Sequence, residues 1–83
     1  MSVRVYTMDY CPYCERAKAL LKQRGIAFEE IRVDSDDDAQ WEELHRRSGM
    51  RTMPQIYRDD QLVGGFQELS ALDQKDQLSS LKG

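Results

Sequence analysis

The hydrophobic residues switch between extended and helical spacing along the chain, and these switches divide it into elements. Val3–Thr7 is rich in β-branched and aromatic residues and predicts a short strand. Pro12–Arg24 carries apolar residues at helical spacing, and Gly25 is the expected end of that helix. Ile26–Val33 predicts a second strand. A strand, a helix and a strand in succession form a βαβ unit, whose strands are expected to be parallel with a right-handed crossover.

The second half of the chain predicts a helix, a hairpin and a last helix. Asp34 opens an acidic stretch that caps a helix ending near Ser48. Gln55–Arg58 and Gln61–Gly64 are short strands, and the short link between them predicts an antiparallel hairpin. The last helix is expected over Gln67–Leu81. Its sheet-facing residues are predicted to be Leu69, Leu72, Leu78 and Leu81.

These elements predict an α/β fold. Its mixed four-stranded sheet consists of the parallel βαβ unit followed by the β-hairpin, and three helices flank the sheet. The 83 residues predict one domain over residues 1–83, large enough to bury about 60% of the surface of the unfolded chain. A modest hydrophobic core can therefore form without disulfide staples.

Charge and hydropathy exclude several classes of partner. The formal net charge is −3 with both signs interspersed, which argues against nucleic acid. No apolar run approaches the roughly 20 residues of a membrane span. Arg4 and Asp9 interrupt any secretory signal. We therefore expect a cytoplasmic protein without a membrane partner, and a monomer, because no apolar surface demands a second subunit.

Both cysteines lie in the stretch Tyr10-Cys11-Pro12-Tyr13-Cys14, where the first strand gives way to the first helix. A Cys-x-x-Cys pair at such a junction is typical of a thioredoxin-like redox motif. Pro12 suits the first helical position, which places Cys11 at the cap, where free N–H groups and the helix dipole favour a thiolate. Cys14 follows nearly one turn later on the same face. We expect Cys11 to be the exposed nucleophile with a lowered pKa, and Cys14 the inner, resolving thiol.

Other roles for the cysteine, histidine and acidic residues are less well supported. A structural zinc site needs four ligands, whereas the chain has two cysteines and one histidine, His45. A purely structural disulfide would close a very small loop and contribute little stability. A calcium loop starting at Asp34 would need glycine where Ala39 stands. We therefore expect no bound metal, and we interpret His45 as a solvated helix residue.

Two further motifs restrict the families to which the chain can belong. Thr52-Met53-Pro54 precedes the predicted hairpin, and Gly64-Gly65 follows it. The motif Cys11-Pro12-Tyr13-Cys14 comes first along the chain, then Thr52-Met53-Pro54 and then Gly64-Gly65. With its motifs in this order and at these separations, essentially the whole chain resembles the dithiol glutaredoxins, in particular the small bacterial glutaredoxin 3 type. The resemblance implies a thioredoxin-like fold. It also implies a glutathione-dependent thiol–disulfide oxidoreductase that reduces protein disulfides and glutathione mixed disulfides.

The resemblance also implies a groove in which glutathione binds as co-substrate. In the family, the residue at Met53 pairs its backbone with glutathione's cysteine, and the bond to Pro54 is cis. The start of the last helix meets the γ-glutamyl end, and a helix N-terminus suits a carboxylate. The residues assigned to the groove in this way are Tyr13, Thr52, Met53, Pro54, Gly65, Phe66 and Gln67.

The chain departs from the family pattern at positions that contact glutathione. Many glutaredoxins carry lysine three residues before the first active-site cysteine, where this chain has Met8. A polar residue of the second helix is replaced by Trp41, and the common Cys and Asp after the double glycine are Phe66 and Gln67. Two interpretations of Arg51 are open: it supplies the missing positive charge to glutathione, since Arg can grip a carboxylate bidentately, or it is a solvated surface arginine.

Two other functions are compatible with the sequence. One is a redoxin that is reduced by thioredoxin reductase and serves ribonucleotide reductase. The other is an iron–sulfur cluster carrier that holds the cluster between two subunits through Cys11 and glutathione. The Pro-Tyr pair between the cysteines argues against the first, and cluster carriers of the family more often have a single cysteine. The expected partners are glutathione and disulfide-containing or glutathionylated proteins, with ribonucleotide reductase as one candidate.

Overall fold

The structure, a computed structural model, describes residues 3–34 and 36–75. The elements of this part are β1 (Val3–Thr7), α1 (Pro12–Gln23), β2 (Glu29–Arg32), α2 (Asp38–Ser48), β3 (Gln55–Arg58), β4 (Gln61–Gly64) and α3 (Phe66–Gln74). The strands form one sheet in the order β2-β1-β3-β4. Strands β1 and β2 are parallel, whereas β3 is antiparallel to both β1 and β4. The predicted mixed sheet, with its βαβ unit and hairpin, is therefore confirmed.

Strand β2 and helix α2 are shorter than predicted. Strand β2 lies at the edge of the sheet and pairs with β1 only, so its ladder covers fewer residues than the apolar stretch around it. Helix α2 does not begin at Asp34. Asp37 caps it by accepting a hydrogen bond from the Gln40 N–H at 3.1 Å. Asp34 instead accepts from the Asp36 N–H at 2.9 Å, within a turn that precedes the helix.

The last helix begins one residue earlier than predicted and is described as far as Gln74. Of its predicted sheet-facing leucines, Leu69 is fully buried and Leu72 is partly buried against the same core. Leu78 and Leu81 lie outside the described residues. None of the helices in the described ranges is both long and apolar enough to cross a membrane.

Two hydrophobic clusters cover the two faces of the sheet. Because neighbouring strand residues point to opposite faces, Val5 and Tyr6 belong to different clusters. The first cluster joins β1 and β3 to helices α1 and α3, and it includes Val3, Val5, Ala17, Leu21, Ile26, Ile56 and Leu69. The second cluster includes Leu44 of α2 together with Cys14 and Met53. Burying each large aliphatic side chain stabilises the fold by about 1.5–3 kcal/mol.

A charged cluster joins helix α1 to strand β2. Glu30 Oε2 accepts hydrogen bonds from Lys18 Nζ at 3.0 Å and from Thr7 Oγ1 at 2.8 Å. Lys18 also pairs with Glu15 at 2.6 Å, and Arg32 lies 3.5 Å from Glu30. The hydrogen bond from Lys18, followed by that from Thr7, lowers the pKa of the Glu30 carboxyl. Its charged form is therefore favoured in the folded chain.

This shift gives a pH-dependent prediction. A carboxylate whose pKa is lowered on folding stabilises the fold above its unfolded pKa, about 4.3, and loses that contribution as the pH falls through the folded value. We expect Glu30→Gln to be less stable than the wild type near pH 6 and to approach it in acid. Urea unfolding at several pH values measures this, with Glu29→Gln, an exposed neighbour on the same strand, as control. A difference that stays constant across the acid range would contradict the assignment.

Candidate active site

The loop between β1 and α1 brings Cys11 to the amino end of the helix. Cys11 is the N-cap, with extended backbone angles (φ −113°, ψ 98°), and Pro12 occupies the first turn. Cys11 Sγ accepts a hydrogen bond from the Cys14 N–H at 3.2 Å. The sulfur therefore lies among backbone N–H groups that have no partner within the helix, at the positive end of the dipole.

Cys11 and Cys14 form a disulfide, with their Cα atoms 5.2 Å apart. Cys11 is half-buried, whereas Cys14 is only 2% exposed. Cys14 belongs to the second hydrophobic cluster, together with Leu44 and Met53. Of the two cysteines, Cys11 is thus the one that another molecule can approach, and Cys14 is placed to react within the chain.

A groove of about 380 Å³ lies near the Cys11 sulfur. Its walls are formed by Tyr13, Met50, Thr52, Met53, Pro54, Gly65, Phe66, Gln67 and Glu68. The Met53 carbonyl oxygen lies 3.8 Å from Cys11 Sγ, which joins the groove to the sulfur. The Met53–Pro54 bond is cis, as the resemblance implied. The structure therefore brings the sequence-assigned groove residues together at one site, apart from Arg51.

The charged residues beside the groove differ from the expectation. Arg51 is exposed and is not part of the groove wall. Met8 and Trp41 are partly buried against the second hydrophobic cluster, and neither brings a charge. The Arg16 guanidinium lies 5.4 Å from the centre of the Tyr13 ring, a contact that the sequence did not predict. Arg51 and Arg16 are thus two cations close to groove residues.

Hydrogen bonds hold the segment that carries Met50 and Thr52 in place. The Met50 N–H donates to Ser48 Oγ at 2.9 Å. Gln55, which is fully buried, donates from Nε2 to the carbonyls of Met50 and Thr52, both at 3.3 Å. His45 Nδ1 lies 3.3 Å from the Met50 carbonyl oxygen, so His45 is half-buried against this segment and not solvated as expected. None of these supports was predicted from the sequence.

A side-chain contact organises the start of helix α3. Glu68 Oε1 accepts a hydrogen bond from the N–H of the N-cap residue, Gly65, at 2.8 Å. Gly64 precedes it with φ of 131°, a value that favours glycine. A glutamate three residues after a helix cap is a sequence signal for this contact, and it would have identified Glu68.

A second concavity, of about 540 Å³, adjoins the cysteines and shares no wall residue with the groove. Cys11, Cys14 and Tyr10 contribute to its wall. Ion pairs also line it, among them Arg32 with Asp9 at 2.9 Å. Within residues 3–34 and 36–75, no three histidine, cysteine, aspartate or glutamate residues cluster in a way that could hold a metal ion.

A family model described as Glutaredoxin matches residues 3–63 of the chain. The chain belongs to the glutaredoxin family. It is 46% identical to glutaredoxin 3 of Escherichia coli strain K12 over 80 residues, which cover 96% of this chain and 95% of that protein. It is 42% identical to a glutaredoxin of Pseudomonas aeruginosa over 79 residues, covering 95% and 93% of the two chains.

Solved glutaredoxin structures share the fold over nearly the whole chain. The solution structure of glutaredoxin from Brucella melitensis is similar with a TM-score of 0.84 and 43% identity, covering 98% of this chain and 87% of that one. The crystal structure of a buckwheat glutaredoxin–glutathione complex gives a TM-score of 0.86 at 28% identity, covering 95% and 74%. These likenesses confirm the thioredoxin-like fold.

Family membership establishes the class of reaction. Glutaredoxins are thiol–disulfide oxidoreductases, and the Cys11–Cys14 pair makes this chain a dithiol glutaredoxin. The family uses glutathione, and the buckwheat glutaredoxin was solved in complex with it.

Proposed function

We propose that this glutaredoxin uses glutathione as electron donor to reduce protein disulfides and mixed disulfides of glutathione with proteins, in the cytoplasm. The observation that supports this most strongly is the position of Cys11 Sγ. It lies 3.2 Å from the Cys14 backbone nitrogen and 3.8 Å from the Met53 carbonyl at the groove. A groove of about 380 Å³ is within the usual range for a small ligand.

The monothiol route uses Cys11 alone. Its thiolate attacks the glutathione sulfur of a mixed disulfide, so that a new Cys11–glutathione bond forms as the old S–S bond breaks. The protein thiolate leaves and takes up a proton. A second glutathione thiolate then attacks the glutathione sulfur on Cys11, releasing glutathione disulfide and the Cys11 thiolate. The glutathionyl group of the substrate and one added glutathione thus end as glutathione disulfide, and the protein sulfur that shared the original S–S bond ends as a thiol.

The dithiol route uses both cysteines. The Cys11 thiolate attacks one sulfur of a protein disulfide, and the other sulfur leaves as a thiolate. Cys14 then attacks Cys11 Sγ, which releases the reduced protein and forms the Cys11–Cys14 disulfide. With Cα atoms 5.2 Å apart, the two cysteines have a spacing typical of disulfides. Glutathione afterwards returns the pair to the dithiol form in two exchange steps.

The two ends of glutathione are assigned to different parts of the groove. Its cysteine backbone pairs with Met53, beside the reactive sulfur. Glu68 already occupies the Gly65 N–H, so the γ-glutamyl carboxylate is assigned to the N–H groups of Phe66 and Gln67 in the first turn of α3. The glycine carboxylate is assigned to Arg51, which directly follows the groove residue Met50.

The role of Arg51 gives a kinetic prediction. We expect Arg51→Ala to raise the KM for glutathione about two- to fivefold with little change in kcat, because an exposed ion pair contributes up to about 1 kcal/mol. Arg46→Ala is the matched control, since Arg46 is an exposed arginine that pairs with Glu43 on α2. Steady-state assays at varied glutathione measure both. An unchanged KM for Arg51→Ala would remove this residue from the site.

The electron donor is tested with the oxidised, Cys11–Cys14 disulfide form of the chain. We expect glutathione to restore both thiols, as measured by the mass after alkylation. Recovery with thioredoxin reductase and NADPH but not with glutathione would instead favour the redoxin that serves ribonucleotide reductase. A coloured protein after anaerobic purification would favour the cluster carrier. If glutathione is the donor, ribonucleotide reductase is still one candidate among the protein substrates.

A further inference from the structure

Tyr10, which directly precedes Cys11, contributes little to the fold in its present conformation. Its side chain is 100% exposed, so the ring adds nothing to either hydrophobic cluster. Its backbone has φ of 59°, in the left-handed region. This region is uncommon outside glycine, asparagine and aspartate, and it is unfavourable for a bulky residue. Unfavourable backbone conformations of this kind occur preferentially at functional sites.

Tyr10 lies next to the point at which a protein substrate bonds to Cys11. In a mixed disulfide the Cα atoms of the two cysteines lie about 4.4–6.8 Å apart. The Cα atom of Tyr10 is only about 3.8 Å from that of Cys11. The backbone of a protein substrate therefore passes close to Tyr10, which also lines the cavity beside Cys11. Tyrosine is enriched among the residues that dominate interface energies, because a rigid ring covers a large area at small entropic cost.

The groove assigned to glutathione is a different surface from the cavity that Tyr10 lines. Tyr10 lines the cavity of about 540 Å³, whereas Tyr13 lines the groove assigned to glutathione, and the two concavities have no wall residue in common. Acidic and basic side chains of the cavity pair with one another, Asp9 with Arg32 and Glu30 with Lys18. A surface with its charges paired in this way suits a polypeptide segment of low net charge.

We propose that Tyr10 and the adjoining cavity dock the polypeptide next to the reactive cysteine of a protein substrate. This inference rests on the proposed reduction of protein disulfides and names the surface that recognises them. Tyr10 takes part in no bond change. It increases the rate at which the Cys11 thiolate meets a protein disulfide, and it leaves the reaction with small glutathione mixed disulfides unaffected.

The test compares two substrates and three variants. Insulin, with its interchain disulfides, is the protein probe, and the mixed disulfide of glutathione with 2-mercaptoethanol is the small probe. Tyr10→Asn removes the ring and keeps a residue that tolerates positive φ, whereas Tyr10→Phe keeps the ring. Asp59→Asn is the matched control, because Asp59 also has positive φ, 53°, but lies in the β3–β4 turn.

For Tyr10→Asn we expect kcat/KM to fall about tenfold with insulin and to match the wild type with the small probe. Tyr10→Phe should largely retain the insulin activity, and Asp59→Asn should retain both. The Tm of Tyr10→Asn should equal or exceed that of the wild type, which separates docking from folding. Equal insulin kinetics for Tyr10→Asn and wild type would refute the docking role, as would equal losses with both probes. A wild type that turns over the small probe but not insulin would also contradict the docking role, whereas a wild type that turns over neither probe with glutathione would refute the proposed function itself.

Discussion

The Cys11→Ser variant is expected to lose all activity, with protein disulfides and with glutathione mixed disulfides alike. Both routes begin with the Cys11 thiolate, and a serine hydroxyl is neither ionised near neutral pH nor able to form a disulfide. Cys14 cannot replace it, because Cys14 is only 2% exposed. Glutathione-coupled assays with both kinds of substrate measure the loss. Residual activity in Cys11→Ser with either substrate would show that another group can start the reaction.

Cys14→Ser is the matched variant and is expected to separate the two routes. The monothiol route does not use Cys14, so turnover of a small glutathione mixed disulfide should persist. Reduction of protein disulfides through the Cys11–Cys14 disulfide should be lost. Because Cys14 packs among apolar side chains, circular dichroism must first show that the variant is folded. A folded Cys14→Ser chain that is inactive with the small substrate would contradict the monothiol route.

Gly64→Ala is expected to be the most destabilising single-methyl change near the groove. Gly64 has φ of 131°, and an added Cβ would lie 2.6–2.8 Å from side-chain atoms of Glu68. Backbone strain and this overlap together are expected to cost about 2–4 kcal/mol, which corresponds to a fall in Tm of more than about 8 °C for a domain of this size. Displacing Glu68 also weakens its hydrogen bond to the Gly65 N–H, which adds to the loss of stability.

Gly49→Ala is the control for this prediction. Gly49 also has positive φ, 73°, but an added Cβ there would meet no atom within 4 Å. Its replacement therefore tests backbone strain alone, about 1 kcal/mol at the left-handed cap of α2. Urea unfolding of both variants gives the difference. Equal losses of stability would show that the overlap with Glu68 plays no part.

The catalytic pair and its helix were predictable because the signals are local. Pro12 follows the cap residue directly, and Cys14 lies within the first turn, so neighbouring residues alone determine where the Cys11 sulfur lies. The βαβ unit and the hairpin were also predictable, since short links and strand-like composition restrict the topology. The groove residues could be assigned to one site only through the family resemblance, because they are far apart in the sequence.

Features that depend on distant contacts were not predictable. In the sequence, Gln55 is an ordinary polar residue of a predicted strand. In the structure it is fully buried, and its side chain donates hydrogen bonds to the carbonyls of Met50 and Thr52. The start of α2 was misplaced because the acidic stretch offers several residues that can cap a helix. Only the structure shows that Asp37 does so and that Asp34 serves the preceding turn.

The most direct test of the account is the pKa of the Cys11 thiol, measured from the pH dependence of its alkylation rate in the Cys14→Ser variant. There Cys11 is the sole thiol of the chain. Free N–H groups and the dipole of α1 are expected to lower this pKa clearly below that of an ordinary cysteine, about 8.5, with rapid alkylation at neutral pH. A pKa at or above that ordinary value, or a sulfur that alkylating agents cannot reach, would contradict it.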